Sequence, residues 1–245
     1  MSYRPIIYQV NETNFFELLY KFLETWYEMG IIRINEKINF SRIFEIKISE
    51  QINDLLNFMT NLHFSIMYGK KKYMYNGFDY IFTMQQLNII YDKKMNFLFI
   101  LREGQQDFYY GIKGECFMEE NPLIYRLVKN NNTKSMDLFE DRKLIEFLVY
   151  NICCKASKIG VKEFCIHLKN NMEMELFKKL FKYATKYQDF ELYENDNVIA
   201  AIHYGNGMNL LTVNKWEEND KKITKEIEKV FKWKGWSNNN YRNKL

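Results

Sequence analysis

Few residues in this sequence have the types and spacing that chemistry needs. There are three histidines, His63, His167 and His203. His167 and His203 fall on expected strands, in IHLKN and IHYGN. Two strand histidines sharing a groove can act on a phosphoester when a hydroxyl residue stands two positions after each. Here those positions hold Lys169 and Gly205, so the hydroxyls are missing. His63 lies on the apolar stripe of an expected helix and reads as a core histidine. Glu45-Ile46-Lys47, nine residues after Glu36, could hold Mg²⁺ with an acid pair and position a water with the lysine. No Pro-Asp precedes it, and an E-x-K triplet is common by chance. No cluster of His, Cys, Asp or Glu has metal-ligand spacing, so no metal is expected. A G-x-S-x-G elbow and a Walker A loop are absent as well.

Two segments mix cations with aromatics. Lys70, Lys71 and Lys72 precede Tyr73, Tyr75, Phe78 and Tyr80, a combination that can grip a phosphate backbone and stack bases. Lys229, Lys232, Trp233, Lys234 and Trp236 form a second such cluster near the C-terminus. Tryptophans placed there suit docking onto the protein body or onto a partner surface. A net charge of +4 is too small to imply nucleic-acid binding by itself, and it disfavours an acidic DNA mimic. Protein is therefore the expected partner, with nucleic acid the weaker alternative.

The four cysteines, Cys116, Cys153, Cys154 and Cys165, make no CxxC. In a chain of 245 residues they fit reduced, buried thiols better than a disulfide framework. MSYRPIIYQVNETNFF has no signal-peptide core, and no apolar run approaches the ~18 residues of a membrane span. The expectation is a cytoplasmic protein with no membrane association.

These side chains must be positioned by α+β elements. Residues 4–10 read as a strand, and Thr13 or Asn14 caps a helix with Phe15, Leu18, Leu19, Phe22, Leu23 and Trp26 on one face. Residues 31–48 look extended, IIRINEK and RIFEIK most clearly. A second helix is expected over about 50–66, with Ile52, Leu55, Leu56, Met59, Leu62 and Ile66 as its stripe. A meander follows near 78–84, 86–91, 95–102 and 107–118, with a turn at Asp92-Lys93-Lys94. Residues 129–137 read as a loop and about 139–158 as a buried helix. VKEFCIHL reads as a parallel or central strand, 172–186 as a helix, and 190–194 with 198–204 as a hairpin. A strand at 208–213 and a helix over 217–233 follow, and the tail SNNNYRNKL reads as frayed. The fold expected is a twisted, largely antiparallel sheet packed by about five helices, in one extended domain spanning 1–245, with an insertion-like segment at 30–75.

That order of elements resembles the acyl-CoA N-acyltransferase (GNAT) family. Ala156-Ser-Lys-Ile-Gly160, Phe164-Cys-Ile166 and Asn170 match its helix end, glycine, strand and asparagine. Leu176-Phe-Lys-Lys-Leu180 sits where the family has an L-Y-x-x-L-G-F stretch. The resemblance is best over 125–204 and implies an acyl-CoA-binding fold. Its catalytic parts are incomplete. The family seats the CoA pyrophosphate on an R/Q-x-x-G-x-G/A loop, because only glycines let the amides at a helix start approach phosphate closely. The corresponding residues are Glu140 to Ile145, with Lys143 and Ile145 in the glycine positions. The family's proton-donating tyrosine corresponds to Phe177, leaving Tyr183 as the one substitute. Lys134 and Ser135, with Asn170, are the residues left to hold acetyl-CoA if a shifted loop does so. The resemblance therefore implies a degenerate, cofactor-free protein that binds a macromolecular partner, as an inhibitor, immunity-type or accessory protein. An acetyl-CoA-dependent N-acyltransferase with an irregular loop is the alternative.

Overall fold

The structure, a computed structural model, describes residues 15–26, 30–68, 80–81, 90–103, 108–129, 136–154, 162–168, 171–181, 183–187, 189–195, 198–205, 208–215, 225–227, 229 and 237–238. The protein is α+β, with helices and two antiparallel sheets. Its described residues gather into two compact units. One unit draws on Glu28–Lys71 and Tyr75–Leu148, the other on Met1–Tyr27 and Val149–Leu245. Where the sequence suggested one sheet, each unit has its own. Residue patterning cannot count sheets, because it specifies strands and not their neighbours.

In the Glu28–Leu148 unit, helix α2 (Phe40–Phe44) is followed by α3 (Glu50–Tyr68). The strands are β1 (Tyr80–Ile81), β2 (Tyr91–Asp92), β3 (Phe97–Glu103), β4 (Phe108–Lys113), β5 (Leu123–Lys129) and β6 (Met136–Lys143). Their order is β1-β3-β4-β5-β6, with β2 also on β3. The Asp92 turn forms as expected, its carboxylate accepting the amides of Lys94 at 2.8 Å and Met95 at 3.0 Å. Helix α3 buries Ile52, Leu55, Leu56, Met59 and Leu62, as their spacing implies, and Phe58 as well.

Three sequence expectations in this unit are corrected. Arg42 to Phe44 belong to helix α2, because the Asn39 side chain accepts the Arg42 amide at 3.2 Å and caps a turn that the apolar pattern hid. Leu123–Lys129 is a strand where none was expected. Residues 139–143 extend strand β6, paired from Lys143↔Leu123 to Met136↔Lys129, and the following helix α4 spans only Leu144–Leu148. Residues 149–154 continue with the wider π-helical winding.

In the other unit, helix α1 (Phe15–Trp26) buries Phe15, Leu18, Leu19, Phe22 and Leu23 as their spacing requires. Here the strands are β7 (Lys162–Leu168), β8 (Tyr183–Lys186), β9 (Phe190–Asn195), β10 (Val198–Gly205), β11 (Met208–Lys215) and β12 (Ser237–Asn238), with α5 (Asn171–Lys178) after β7. They run in the order β12-β7-β11-β10-β9-β8. The β9–β10 hairpin is the expected one. VKEFCIHL is a central strand, but antiparallel to β11 and β12. The helix expected over 172–186 stops at Lys178, and Tyr183–Lys186 instead pairs with β9. Phe177, Phe181, Tyr193, Val198, Ala200, Ile202 and Ile227 form this unit's core cluster.

Candidate functional site

Most residues singled out by sequence lie outside the described residues: Lys70, Lys71, Lys72, Tyr73, Tyr75, Lys134, Ser135, Asn170, Trp233 and Trp236. Tyr183 opens β8, opposite Glu194, and so stands on a strand instead of a helix. His167 stands on β7 opposite Leu210. His203 stands on β10, its ring edge-on to Tyr150 with centroids 5.8 Å apart. His63 is half-buried against Phe64, and burial lowers its imidazole pKa. Glu45 ends α2 at φ 56°, with its carboxylate 3.4 Å from Lys93 at an exposed surface. No three potential metal-ligating side chains cluster among the described residues.

The segment aligned with the phosphate loop can be followed atom by atom. Glu140 to Lys143 are strand, not the opening of a helix. At the start of α4, the Leu144 amide donates to Pro122 O at 2.9 Å, and the Ile145 amide donates to Asn121 Oδ1 at 2.9 Å. The Asn121 amide is in turn held by Gln51 Oε1 of α3. Two amides that a diphosphate would need are thus hydrogen-bonded within the fold. Phe177 is fully buried, its ring centroid 4.6 Å from that of Phe181 and 5.5 Å from that of Tyr193.

One charged constellation escaped the sequence reading. Glu191, on β9, is only 3% exposed. Lys178 Nζ on α5 reaches both of its carboxylate oxygens, at 3.1 and 3.3 Å. Lys186 Nζ lies 3.5 Å away, and the phenols of Tyr193 and Tyr204 donate hydrogen bonds to the same carboxylate. Burial pushes the Glu191 pKa up, but the bonds from Tyr193, Lys178 and Tyr204 outweigh it and hold the group below its ordinary value. Burial, with hydrogen bonding to Glu191, raises the phenol pKa of Tyr193 and Tyr204. Each polar group here is engaged by another, so the cluster pins α5 to the sheet. Only the i, i+2 spacing of Glu191 and Tyr193 could have signalled it, because Lys178 is brought near by the fold.

The described surface offers a different kind of site along β6. This eight-residue strand is outermost in its sheet, and among the described residues only β5 pairs with it. Adjacent residues Leu138 and Phe139, which point to opposite faces, are 39% and 47% exposed. Behind Phe139, Arg126 of β5 stacks between two rings, 5.3 Å from Phe108 and 5.6 Å from Phe139. The two apolar side chains flank a strand edge whose outward N–H and C=O groups can receive another strand.

The chain matches no protein-family model, no curated protein and no solved structure.

Proposed function

We propose that this chain works by binding another protein, with β6 receiving an extended segment of that partner. The carrying observation is the exposed Leu138–Phe139 pair on an outermost strand. Strand addition of this kind draws affinity from main-chain hydrogen bonds and specificity from the alternating side chains. Leu138 would take an apolar residue on one face and Phe139 another on the opposite face.

On this reading the protein is a degenerate GNAT-like chain with about five helices, acting as an inhibitor, immunity-type or accessory protein. The described order supports it: an antiparallel meander, a helix, strand β7, helix α5 and the β9–β10 hairpin. The absence of catalysis is supported by the bonded amides of Leu144 and Ile145 and by Phe177, which has no proton to give.

The test compares affinity capture by the wild type with capture by a Leu138→Asp/Phe139→Asp variant of unchanged melting temperature. A partner held by the wild type and lost by the variant is expected. A partner held equally by both overturns the assignment of β6. Calorimetric titration with acetyl-CoA should give no binding heat, and micromolar binding would favour the N-acyltransferase alternative.

A further inference from the structure

A polar stripe on α3 repeats every fourth residue: Asn53, Asn57, Asn61 and Ser65. Each accepts a main-chain N–H from one extended segment. Ser65 Oγ accepts from Ile32 at 2.8 Å, Asn61 Oδ1 from Ile34 at 3.0 Å, Asn57 Oδ1 from Ile38 at 2.9 Å and Asn53 Oδ1 from Phe40 at 2.9 Å. Asn53 and Asn57 also donate to Ile38 O, at 3.1 and 3.0 Å. The match is geometric. Four helical residues advance about 6 Å, and two extended residues advance about 6.6 Å. The bend at residues 35–36 absorbs the one step where four strap residues meet a single helical step.

These contacts hold the segment chiefly by its backbone; of its exposed side chains, Lys37 also meets α3, its ammonium 3.2 Å from Glu50 Oε1 and 2.5 Å from Asp54 Oδ1, in ion pairs that contribute little at a surface. Ile32, Arg33, Asn35, Glu36, Lys37 and Asn39 are exposed, and Phe40 is the first fully buried residue. A cavity of about 400 Å³ opens where the segment meets the start of α3, lined by Lys37, Ile38, Ser41, Ile48 and Asn53 among others. A segment with so little apolar burial belongs to the low-stability end of a fold.

We infer that the Asn53–Asn57–Asn61–Ser65 stripe is a binding site for an extended polypeptide, occupied at rest by residues 32–40 and open to a partner protein's segment when that strap peels away. The strap defines the ligand chemistry. The ligand is extended, it is not proline where N–H groups are accepted, and its apolar side chains replace half-buried Ile34 and Ile38. Phe40 and Phe44, both buried, anchor the strap's far end. This site is separate from the β6 edge and stands whether or not that edge binds a partner.

The test uses the full chain and a fluorescent peptide, GIIRINEKINF, copied from residues 30–40. Ile34→Pro removes the N–H that Asn61 accepts and loosens the resident strap; Ile32→Pro does the same beside Ser65. Freeing the site raises apparent peptide affinity at least about tenfold over wild type. Adding Asn57→Ala and Asn61→Ala abolishes that gain, whereas Leu138→Asp/Phe139→Asp leaves it intact. In the wild type, the amides of Ile32, Ile34 and Ile38 exchange at least about a hundredfold faster than those of Leu55 and Leu56. Strap amides exchanging only with the α3 core would overturn the inference, as would no peptide binding to either proline variant with its native near-ultraviolet spectrum. A concentration-dependent dimer that keeps the strap amides protected would make a second copy the occupant and overturn the partner assignment.

Discussion

Asn57 holds Ile38 by both of its main-chain groups, accepting its N–H at 2.9 Å and donating to its carbonyl at 3.0 Å. The carboxamide stands in for the peptide group of a neighbouring strand. The backbone of this segment is thereby satisfied by side chains of a helix. Asn57→Ala removes both bonds and should cost about 2 kcal/mol, read as a lower urea midpoint at constant m. Asn57→Asp keeps the acceptor but sets a carboxylate oxygen against Ile38 O and Asn53 O, where the amide donated at 3.0 and 2.8 Å, so its loss should exceed that of Asn57→Ala. A smaller loss in Asn57→Asp would show that the donated bonds do not stabilise the strap.

Gly111 of β4 has no room for a side chain. An added Cβ would lie 2.1 Å from Leu98 O and 2.3 Å from the Phe97 ring. Gly111→Ala must push strand β3 away and should cost about 3 kcal/mol, at the upper end of ordinary overpacking. Gly111→Ala/Phe97→Leu relieves the ring clash only, so thermal melting should show partial rescue.

Glu191 makes stability depend on acid. Its pKa is held below the unfolded value of about 4.5, so its contribution is complete above that pH and declines as pH falls through the lower folded value. Glu191→Gln should flatten that acid limb of the stability curve. Glu191→Ala strands Lys178 beside a buried site and should cost roughly 3 kcal/mol at neutral pH. An unchanged acid limb in Glu191→Gln would remove the carboxylate from this role.

Asn121 combines φ 50° with a side chain that accepts the Ile145 amide. Asn121→Ala loses the acceptor and strains the backbone, for a combined cost of about 2–3 kcal/mol. Asn121→Gly relieves the strain alone and should recover roughly 1 kcal/mol. Chemical denaturation of the pair separates the two contributions.

Sequence by itself determined the elements whose burial repeats with a regular period. Phe15 to Leu23 and Ile52 to Leu62 declare their helices because a core-facing stripe must recur at 3.6 residues. Phe190–Asn195 and Val198–Gly205 declare their hairpin because a buried strand pair is β-rich on both sides of a short polar turn. Residues 139–143 misread as helix because they adjoin the apolar run from Leu144 to Cys153, and nothing local marks where winding begins. Among the described residues, it is pairing with β5 that holds them extended.

The tertiary structure alone decided the polar placements. Asn53, Asn57 and Asn61 look like a solvated helix face until an extended segment lies along them. Glu191 looks like the exposed position of an alternating strand until Lys178 arrives from a helix earlier in the chain. Apolar burial leaves a periodic trace in sequence because it acts on whole faces. A hydrogen bond or ion pair joins two groups at unrelated positions, so it leaves a trace only in three dimensions.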